Sequence, residues 1–374
     1  MRGLLTVFLI LLIFASDATA QTGRELSASG RKNTALIELK LKDAARRSPG
    51  SFEANHNLGE FYIQQGKLDA AIPYLEKAQR INPEHYVNSY DLAMALFQTG
   101  DLARARAQIQ RVIKWKDAAE LHTLLGDVEE KTGNLVAAAE EYQRAAQMEE
   151  SEDRLLDLGN GLIKINAFDA AAQIFDYGLK KYPRSAKLRI GLGIACYSRG
   201  QYDNAIRLLC EATDLEPADP RPYLFLGEMY GVSAEMADEI TRRMARFVKE
   251  HPENALAHYY YAVNLGRARR GPGSTVDFAQ VETLLKRAIA LDPKLPQAHF
   301  ELGVLYTEQQ QYTEAIAAFR SAIKLNPEMG KAHYRLALIY QRAGQKEMAA
   351  REMEIYKRLK DHEADTRGQK NVIP

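Results

Sequence analysis

Small and large apolar positions recur along most of the chain with the spacing of paired amphipathic helices. In one copy a Leu, a small residue and a large residue are followed by Ala, a second large residue, a second small residue and Pro: Leu58-Gly59, Tyr62, Ala71, Leu75, Ala78 and Pro83. Apolar residues at intervals of three and four line one face of an α-helix. Pro ends a helix because it lacks the N–H and clashes with the preceding turn. The pattern therefore predicts two helices joined by a short turn.

This pattern occurs nine times, and the small position of the first helix is Gly or Ala in every copy. Successive copies are 33 to 35 residues apart, except for a spacing of 41 between the seventh and eighth. Two antiparallel helices approach closely only where side chains are small, which explains the restriction. The nine small positions are Gly59, Ala93, Gly126, Gly159, Gly193, Gly227, Ala262, Gly303 and Ala337.

Two copies depart from the pattern. The sixth has one extra residue, so that Glu239 or Ile240 falls where Ala is expected. The seventh has an insertion between its helices, near 267–274. Regular stacking of the helix pairs is therefore least expected at these two repeats.

Period, small positions, large positions and Pro together resemble the tetratricopeptide repeat family over residues 52–361. The resemblance implies an all-α fold, a right-handed α-solenoid of about nine stacked helix-turn-helix repeats. It also implies that the first helices line a concave groove and that the protein binds other proteins or peptides. Some members clamp a carboxyl terminus with Lys and Asn, but His56 and Glu60 stand at the matching positions here, so that clamp is not indicated.

The two ends of the chain differ from the repeats. Residues 21–51 form an N-terminal segment in which 33–49 resembles the second half of a repeat, with Ile37, Leu41, Ala44 and Pro49 in its slots. A helix there would cap the first full repeat, since terminal repeats of solenoids are atypical. Residues 362–374 are polar and lack apolar periodicity, which predicts a disordered tail.

Residues 1–20 have the features of a secretory signal peptide. Arg2 precedes a nearly continuous apolar run from Leu4 to Phe14, and Ala18-Thr19-Ala20 ends the segment with small residues. A membrane-spanning helix needs about 20 apolar residues, so removal of the segment is favoured over an uncleaved anchor. We therefore expect an exported protein, periplasmic or secreted, with no transmembrane segment after signal removal.

Processing gives the first testable expectation. If the signal peptidase cuts after the A-x-A pattern, the mature chain begins at Gln21. N-terminal sequencing of the exported protein checks this expectation. Exported protein that still begins at Met1 would contradict it.

The composition narrows the choice of function. Acidic and basic residues nearly balance, with a formal net charge of +1, whereas nucleic-acid binders usually carry a pronounced basic excess. The sequence has no nucleophile elbow, P-loop, zinc-protease motif or dinucleotide fingerprint. We therefore expect no catalysis, no cofactor and no nucleic-acid partner.

Four histidines share one position near the start of a first helix: His122, His258, His299 and His333. Metal binding would need ligands that converge on one ion at about 2 Å. Equivalent residues of stacked helices lie on the order of 10 Å apart. A structural, half-buried role is therefore favoured over a metal site.

Charge is uneven along the chain. Residues 117–153 contain eleven acidic and two basic residues, whereas 241–270 contain seven basic and two acidic ones. The simpler interpretation is solvated helix faces. The alternative is electrostatic steering of a partner that carries both charges.

The resemblance assigns candidate partner-binding residues to the groove, and the Arg residues of the insertion lie at its edge. If the register were slipped by one residue, the same apolar side chains would instead form core. A protein or peptide ligand is the first hypothesis, and a cell-envelope glycan or peptidoglycan partner is the alternative. The candidates are Tyr90, Met94, Phe97, Asn160, Ile190, Ile194, Tyr197, Leu224, Tyr259, Val263, Phe300, Tyr334, Arg267, Arg269 and Arg270.

Overall fold

The computed structural model describes residues 28–270 and 276–370, with side chains for 33–270 and 276–362. These residues form nineteen helices in two compact units, one up to Gly200 and one from Gln201. Unit 1 contains α1 Ala28–Arg47, α2 Phe52–Gln64, α3 Leu68–Ile81, α4 Tyr86–Gln98, α5 Leu102–Ile113, α6 Ala119–Lys131, α7 Leu135–Met148, α8 Glu152–Lys164, α9 Phe168–Lys181 and α10 Ala186–Ser198. Unit 2 contains α11 Tyr202–Leu215, α12 Arg221–Glu228, α13 Ala237–Glu250, α14 Ala255–Ala268, α15 Phe278–Leu291, α16 Pro296–Glu308, α17 Tyr312–Leu325, α18 Gly330–Arg342 and α19 Lys346–Lys370.

The predicted helix pairs are present, and the all-α repeat fold is confirmed. Helices α2 to α9 form the first four pairs, and α12 to α19 form the last four. Helix α10 ends unit 1 and α11 begins unit 2, so the fifth repeat contributes one helix to each unit. The signal-like segment, residues 1–20, and the insertion residues 271–275 lie outside the described residues.

In the turns between paired helices, a residue with left-handed backbone conformation (positive φ) ends the first helix. Gly66, Gly100, Gly133 and Gly344 have φ between 68° and 86°. Asn166 takes the same place after α8 with φ of 60°. This conformation turns the chain sharply into the second helix of each pair.

The small positions act as the sequence predicts. A Cβ placed on Gly59 would lie 2.6 Å from Leu75 Cδ2, and one on Gly126 would lie 2.6 Å from the Tyr142 ring. Such separations lie far inside van der Waals contact, so any side chain there would push the second helix away from the first.

Phe175 of α9 shows this packing in its most demanding form. Its side chain is fully buried, and its ring lies between a glycine of its own repeat, Gly159, and a glycine of the next, Gly191. A Cβ on Gly191 would lie 2.5 Å from the ring. One ring therefore needs two glycines on two different helices, of which the repeat pattern identifies only Gly159.

The sixth repeat is irregular, as its extra residue suggests. Its first helix, α12, ends at Glu228, and Tyr230 to Met236 lead to α13. Gly227 faces the ring of Tyr260 on α14. Ile240 is fully buried and takes the position where Ala is expected, whereas Glu239 pairs with Arg243 at 2.7 Å.

At the two ends of the repeat array, the structure differs in detail from what the sequence predicts. In α1, Leu41 and Ala45 pack on the core of unit 1, while Ala44 is exposed and Ile37 is 41% exposed. The predicted slots of the capping helix are therefore wrong for Ile37 and Ala44, because the helix is rotated from the assumed register. At the other end, α19 continues to Lys370, past the predicted start of disorder at 362.

Candidate functional site

Three predicted partner-binding residues of unit 1 lie together on the first helix of the second repeat. Tyr90, Met94 and Phe97 of α4 pack on the core but keep part of their surface exposed. The Tyr90 ring stacks on that of Tyr86 at 6.3 Å, and Lys131 Nζ lies 4.1 Å from the centre of the Phe97 ring. Half-exposed rings with few rotors are the side chains that dominate protein interfaces.

Carboxylates accompany these rings on neighbouring first helices. Burial raises the pKa of Asp127 on α6 to about 6, although the Tyr142 hydroxyl donates to its Oδ1 at 2.9 Å. Burial, followed by the negative charge of Asp127, raises the pKa of Asp157 on α8 to about 7. Burial also raises the pKa of Asp91 on α4. The first helices of unit 1 thus hold acidic groups at positions that disfavour their charge.

Two apolar candidates of unit 1 are corrected by the structure. Ile190 is 7% exposed and Ile194 is 3% exposed, so neither offers an open surface to a partner. Both are core side chains, which is the alternative that the sequence left open. Asn160 of α8 and Tyr197 of α10 are half-buried, and a partner-binding role for them stays a prediction.

Two candidates of unit 2 are also core residues. Leu224 is 8% exposed on the short helix α12, and Phe300 is 6% exposed on α16. The Phe300 ring packs on the Phe319 ring at 5.6 Å, and Lys331 Nζ covers it at 4.4 Å from the ring centre. The prediction that these two side chains line an open groove is therefore wrong.

The remaining apolar candidates of unit 2 keep partial exposure. Tyr334 of α18 is 38% exposed and rests on Tyr356 of α19, with ring centres 5.1 Å apart. Tyr259 and Val263 of α14 are half-buried. Tyr259 packs on the core around Leu295 at the start of α16, so its ring supports the fold as well as forming surface.

The three predicted arginines occupy different environments. Arg269 pairs with Glu308 and lies over the Phe278 ring at 3.9 Å. Arg270 pairs with the same carboxylate at 2.7 Å. Arg267 is exposed and donates a hydrogen bond to the Tyr230 carbonyl at 2.9 Å. Its guanidinium lies 5.3 Å from the centre of the Tyr230 ring.

Arg267 and Arg270 border a shallow pocket that we call the arginine pocket. It is a cavity of about 20 Å³ between α14, α15 and α16. Its lining comprises Ala262, Val263, Gly266, Arg267, Arg270, Val281, Leu285, Glu301, Val304, Leu305 and Glu308. A cavity of this size holds about one water molecule.

Sequence reasoning missed Glu301, which lies in this pocket. Burial raises the pKa of its carboxyl, against the opposing positive charges of Lys331, Arg267, Arg270 and Arg335. A glutamate two residues before the small position Gly303 carries no signal in the repeat pattern. The shared environment of these cations appears only once three successive first helices are folded together.

The histidine position has a structural role in the described repeats. Nε2 of His258 lies 2.8 Å from the Pro252 carbonyl, and Nε2 of His333 lies 3.0 Å from the Pro327 carbonyl. In the third repeat, His122 contacts Asp117 at 2.8 Å and Glu141 at 2.6 Å instead. The imidazole thus ties the loop after the preceding helix to the helix that follows. Within the described ranges, no group of three or more His, Cys, Asp or Glu side chains could hold a metal ion.

The basic stretch of the sixth repeat is largely neutralised within unit 2. Arg243 and Arg246 of α13 both pair with Asp214 of α11, at 2.6 Å in the case of Arg246. Arg242 pairs with Glu239. These side chains form a solvated network on second helices, which favours the simpler interpretation of the basic stretch.

None of the helices in the described part of the chain is long and apolar enough to cross a membrane.

The chain is similar to known repeat proteins over much of its length. It is 22% identical over 307 residues to the BBSome complex member BBS4 of Bos taurus, which covers 82% of this chain and 57% of that protein. The chain therefore spans little more than half the length of this relative.

Among solved structures, a tetratricopeptide repeat protein from Parabacteroides merdae ATCC 43184 is 15% identical, with a TM-score of 0.44 over 77% of this chain and 98% of that one. The structure of YrrB, described as a TPR protein with an unusual peptide-binding site, is 17% identical, with a TM-score of 0.43 over 50% and 97%.

Family profiles match three separate stretches of the chain. Tetratricopeptide repeat profiles match residues 62–128, 156–220 and 284–317, and a TPR repeat profile matches 305–344. Together these stretches cover more than half of the sequence. With the helix pairs and the glycine contacts described above, they establish that the chain belongs to the tetratricopeptide repeat family.

Proposed function

We propose that this protein is a non-catalytic scaffold that binds a protein or peptide through the first-helix faces of its repeats, outside the cytoplasm. The observation that carries the proposal is the partial exposure of aromatic side chains on several first helices. Tyr90 and Phe97 present such surface in unit 1, and Tyr259 and Tyr334 present it in unit 2. A side chain that served only the core would be buried, as Phe175 and Phe319 are.

The proposed location outside the cytoplasm rests on the sequence alone. The basic residue, the apolar run and the small residues of 1–20 support export. The start of the mature chain at Gln21 remains the expectation that tests it.

The proposed binding role is tested by substituting one exposed ring. Affinity purification with the mature chain, followed by mass spectrometry, first identifies the partner. Tyr334→Ala is then expected to weaken capture of that partner about tenfold, since aromatic contacts dominate interface energies. The melting temperature should change little because Tyr334 is 38% exposed.

Tyr177→Ala is the matched control. Tyr177 is 41% exposed and lies on α9, a second helix, where its hydroxyl donates to Glu150 at 2.7 Å. Capture by this variant should equal that of the native chain. Equal losses of capture for both variants, or none for Tyr334→Ala and Phe97→Ala, would argue against the first-helix faces as the binding surface.

No feature of the described residues favours the alternative partner, an envelope glycan. Burial, followed by the charges of Glu120, Asp127 and Asp91, raises the pKa of Tyr90, but this shift does not select a sugar. The same face also carries Met94 and Phe97. This apolar surface fits a protein partner better.

A further inference from the structure

The first helices of the first four repeats differ in charge from the second helices. Helices α2, α4, α6 and α8 contain ten acidic and three basic residues, whereas α3, α5, α7 and α9 contain six acidic and eight basic ones. Glu130 pairs with Lys164, but Asp91, Asp127 and Asp157 form no ion pair within the described residues. The uncompensated carboxylates of these repeats therefore include several on first helices.

Two side-chain contacts fix how α4 and α6 lie beside each other. Near the starts of the two helices, the Tyr86 hydroxyl donates to a Glu120 carboxylate oxygen at 2.6 Å. Near their ends, Lys131 Nζ lies 4.1 Å from the centre of the Phe97 ring. Both intervals, from Tyr86 to Phe97 and from Glu120 to Lys131, span about three helical turns. One face of α4 therefore runs along one face of α6 over this length.

The middle of this paired surface combines apolar side chains with a carboxylate. Tyr90 and Met94 lie on the same face of α4 as Tyr86, and Asp127 lies two turns after the start of α6; these side chains are half-buried. The Tyr90 ring stacks on the Tyr86 ring at 6.3 Å, and Asp127 accepts from the Tyr142 hydroxyl at 2.9 Å. We call this surface the acidic aromatic face, and it comprises Tyr86, Tyr90, Met94, Phe97, Glu120 and Asp127.

The cations that contact this face lie at its two ends. Lys116 covers a ring at one end, at 5.9 Å from its centre, and Lys131 covers a ring at the other. In the part of the chain that the structure describes, no cation pairs with Asp127 or lies over the Tyr90 ring between them. A guanidinium group suits this place because it stacks on an aromatic ring and donates to a carboxylate through one planar group.

We propose that the acidic aromatic face binds a segment of a partner protein in which an Arg is adjacent to an aliphatic side chain. The guanidinium lies on the Tyr90 ring and donates to Asp127, while the aliphatic side chain packs on Met94. Charge complementarity selects this basic partner over an acidic one. The inference rests on the proposed binding function and names the chemistry of the partner within unit 1.

The test uses three short labelled peptides, acetylated and amidated so that no terminal charge contributes. They differ only at the centre, which reads Leu-Arg, Leu-citrulline or Ser-Arg. Citrulline keeps the shape of Arg but is neutral, and Ser lacks the aliphatic side chain. Binding to the mature chain is measured by fluorescence anisotropy. The Leu-Arg peptide should bind saturably, and each of the other two should bind about tenfold more weakly, as expected when a central contact is removed.

Variants of the protein locate the binding. Asp127→Asn and Tyr90→Ala should each weaken the Leu-Arg peptide about tenfold, while far-UV circular dichroism stays unchanged. Asp127→Asn keeps the shape of the side chain and an oxygen for the Tyr142 hydroxyl, so it tests the charge even if Tyr90→Ala disturbs folding. Asp176→Asn is the matched control, because it changes the net charge equally on α9, a second helix, where Asp176 is 58% exposed and pairs with Lys180.

Three results would overturn the inference. Absence of saturable binding by the Leu-Arg peptide removes its basis. Equal affinity for the Leu-Arg and Leu-citrulline peptides would indicate a purely apolar partner. Equal affinity of Asp127→Asn and Asp176→Asn for the Leu-Arg peptide would indicate a diffuse effect of net charge.

The outcome is separable from that of the proposed function. If Tyr334→Ala weakens partner capture while the peptides do not discriminate, only the assignment to the acidic aromatic face fails. If the peptides discriminate but capture is unchanged by Tyr334→Ala and Phe97→Ala, the preference of this face stands and the broader binding surface does not.

Discussion

Replacing Gly191 with Leu is expected to destabilise unit 1 by about 3 kcal/mol, the upper part of the range for overpacked cores. A Cβ on Gly191 would already lie 2.5 Å from the Phe175 ring. The ring has no room to move away from Gly191, because it is also in close contact with Gly159 of α8. Thermal unfolding followed by circular dichroism measures the effect as a lower melting temperature.

Gly50→Leu is the control for this substitution. Gly50 is exposed, and a Cβ built on it would meet no atom within 4 Å. Surface changes of this kind usually alter stability by about 0.5 kcal/mol or less. Similar melting temperatures for the two variants would mean that Phe175 is not confined between the two glycines.

Replacing Asp157 with Asn is expected to stabilise the protein above pH 7. Burial, followed by the charge of Asp127, raises the pKa of this carboxyl from its ordinary 3.8 to about 7. Above pH 7 the folded state therefore carries an ionised group that it disfavours. As the pH falls from 7 towards 3.8, the folded state takes up a proton that the unfolded chain does not, and the free energy of unfolding rises.

The Asn variant lacks this titrating group, so its gain in the free energy of unfolding over the native chain depends on pH. We expect a gain of about 1–2 kcal/mol at pH 8 that shrinks as the pH falls towards 4. Denaturant unfolding at several pH values measures it. Asp176→Asn is the control, because Asp176 is 58% exposed and pairs with Lys180 across one turn of α9, where such pairs contribute little. A gain for Asp157→Asn that is constant with pH would contradict the assignment.

The fold was predictable because the requirement for a small residue between paired helices is local and recurs in every repeat. A small residue, Gly or Ala, is needed where the paired helices meet, as at Gly59, so these residue types return at a fixed period. The sequence could not place Gly191, since its contact is with Phe175 of the preceding repeat and depends on how the two pairs stack.

The candidate site was less predictable, for a related reason. Position in a repeat indicates which way a side chain points but not how closely the next helix approaches it. Tyr334 and Phe300 occupy equivalent positions, yet one is 38% exposed and the other 6%. The cations around Glu301 come from different helices, and no spacing in the sequence brings them together.

The confinement of Phe175 has a consequence for how such an array changes its length. The ring belongs to the fourth repeat, but one of the two glycines that accommodate it belongs to the fifth. A deletion or duplication that joins the fourth repeat to a different successor would place another residue where Gly191 now stands. Gain or loss of repeats by recombination is therefore constrained at this junction, where a transferred segment has to carry both glycines together.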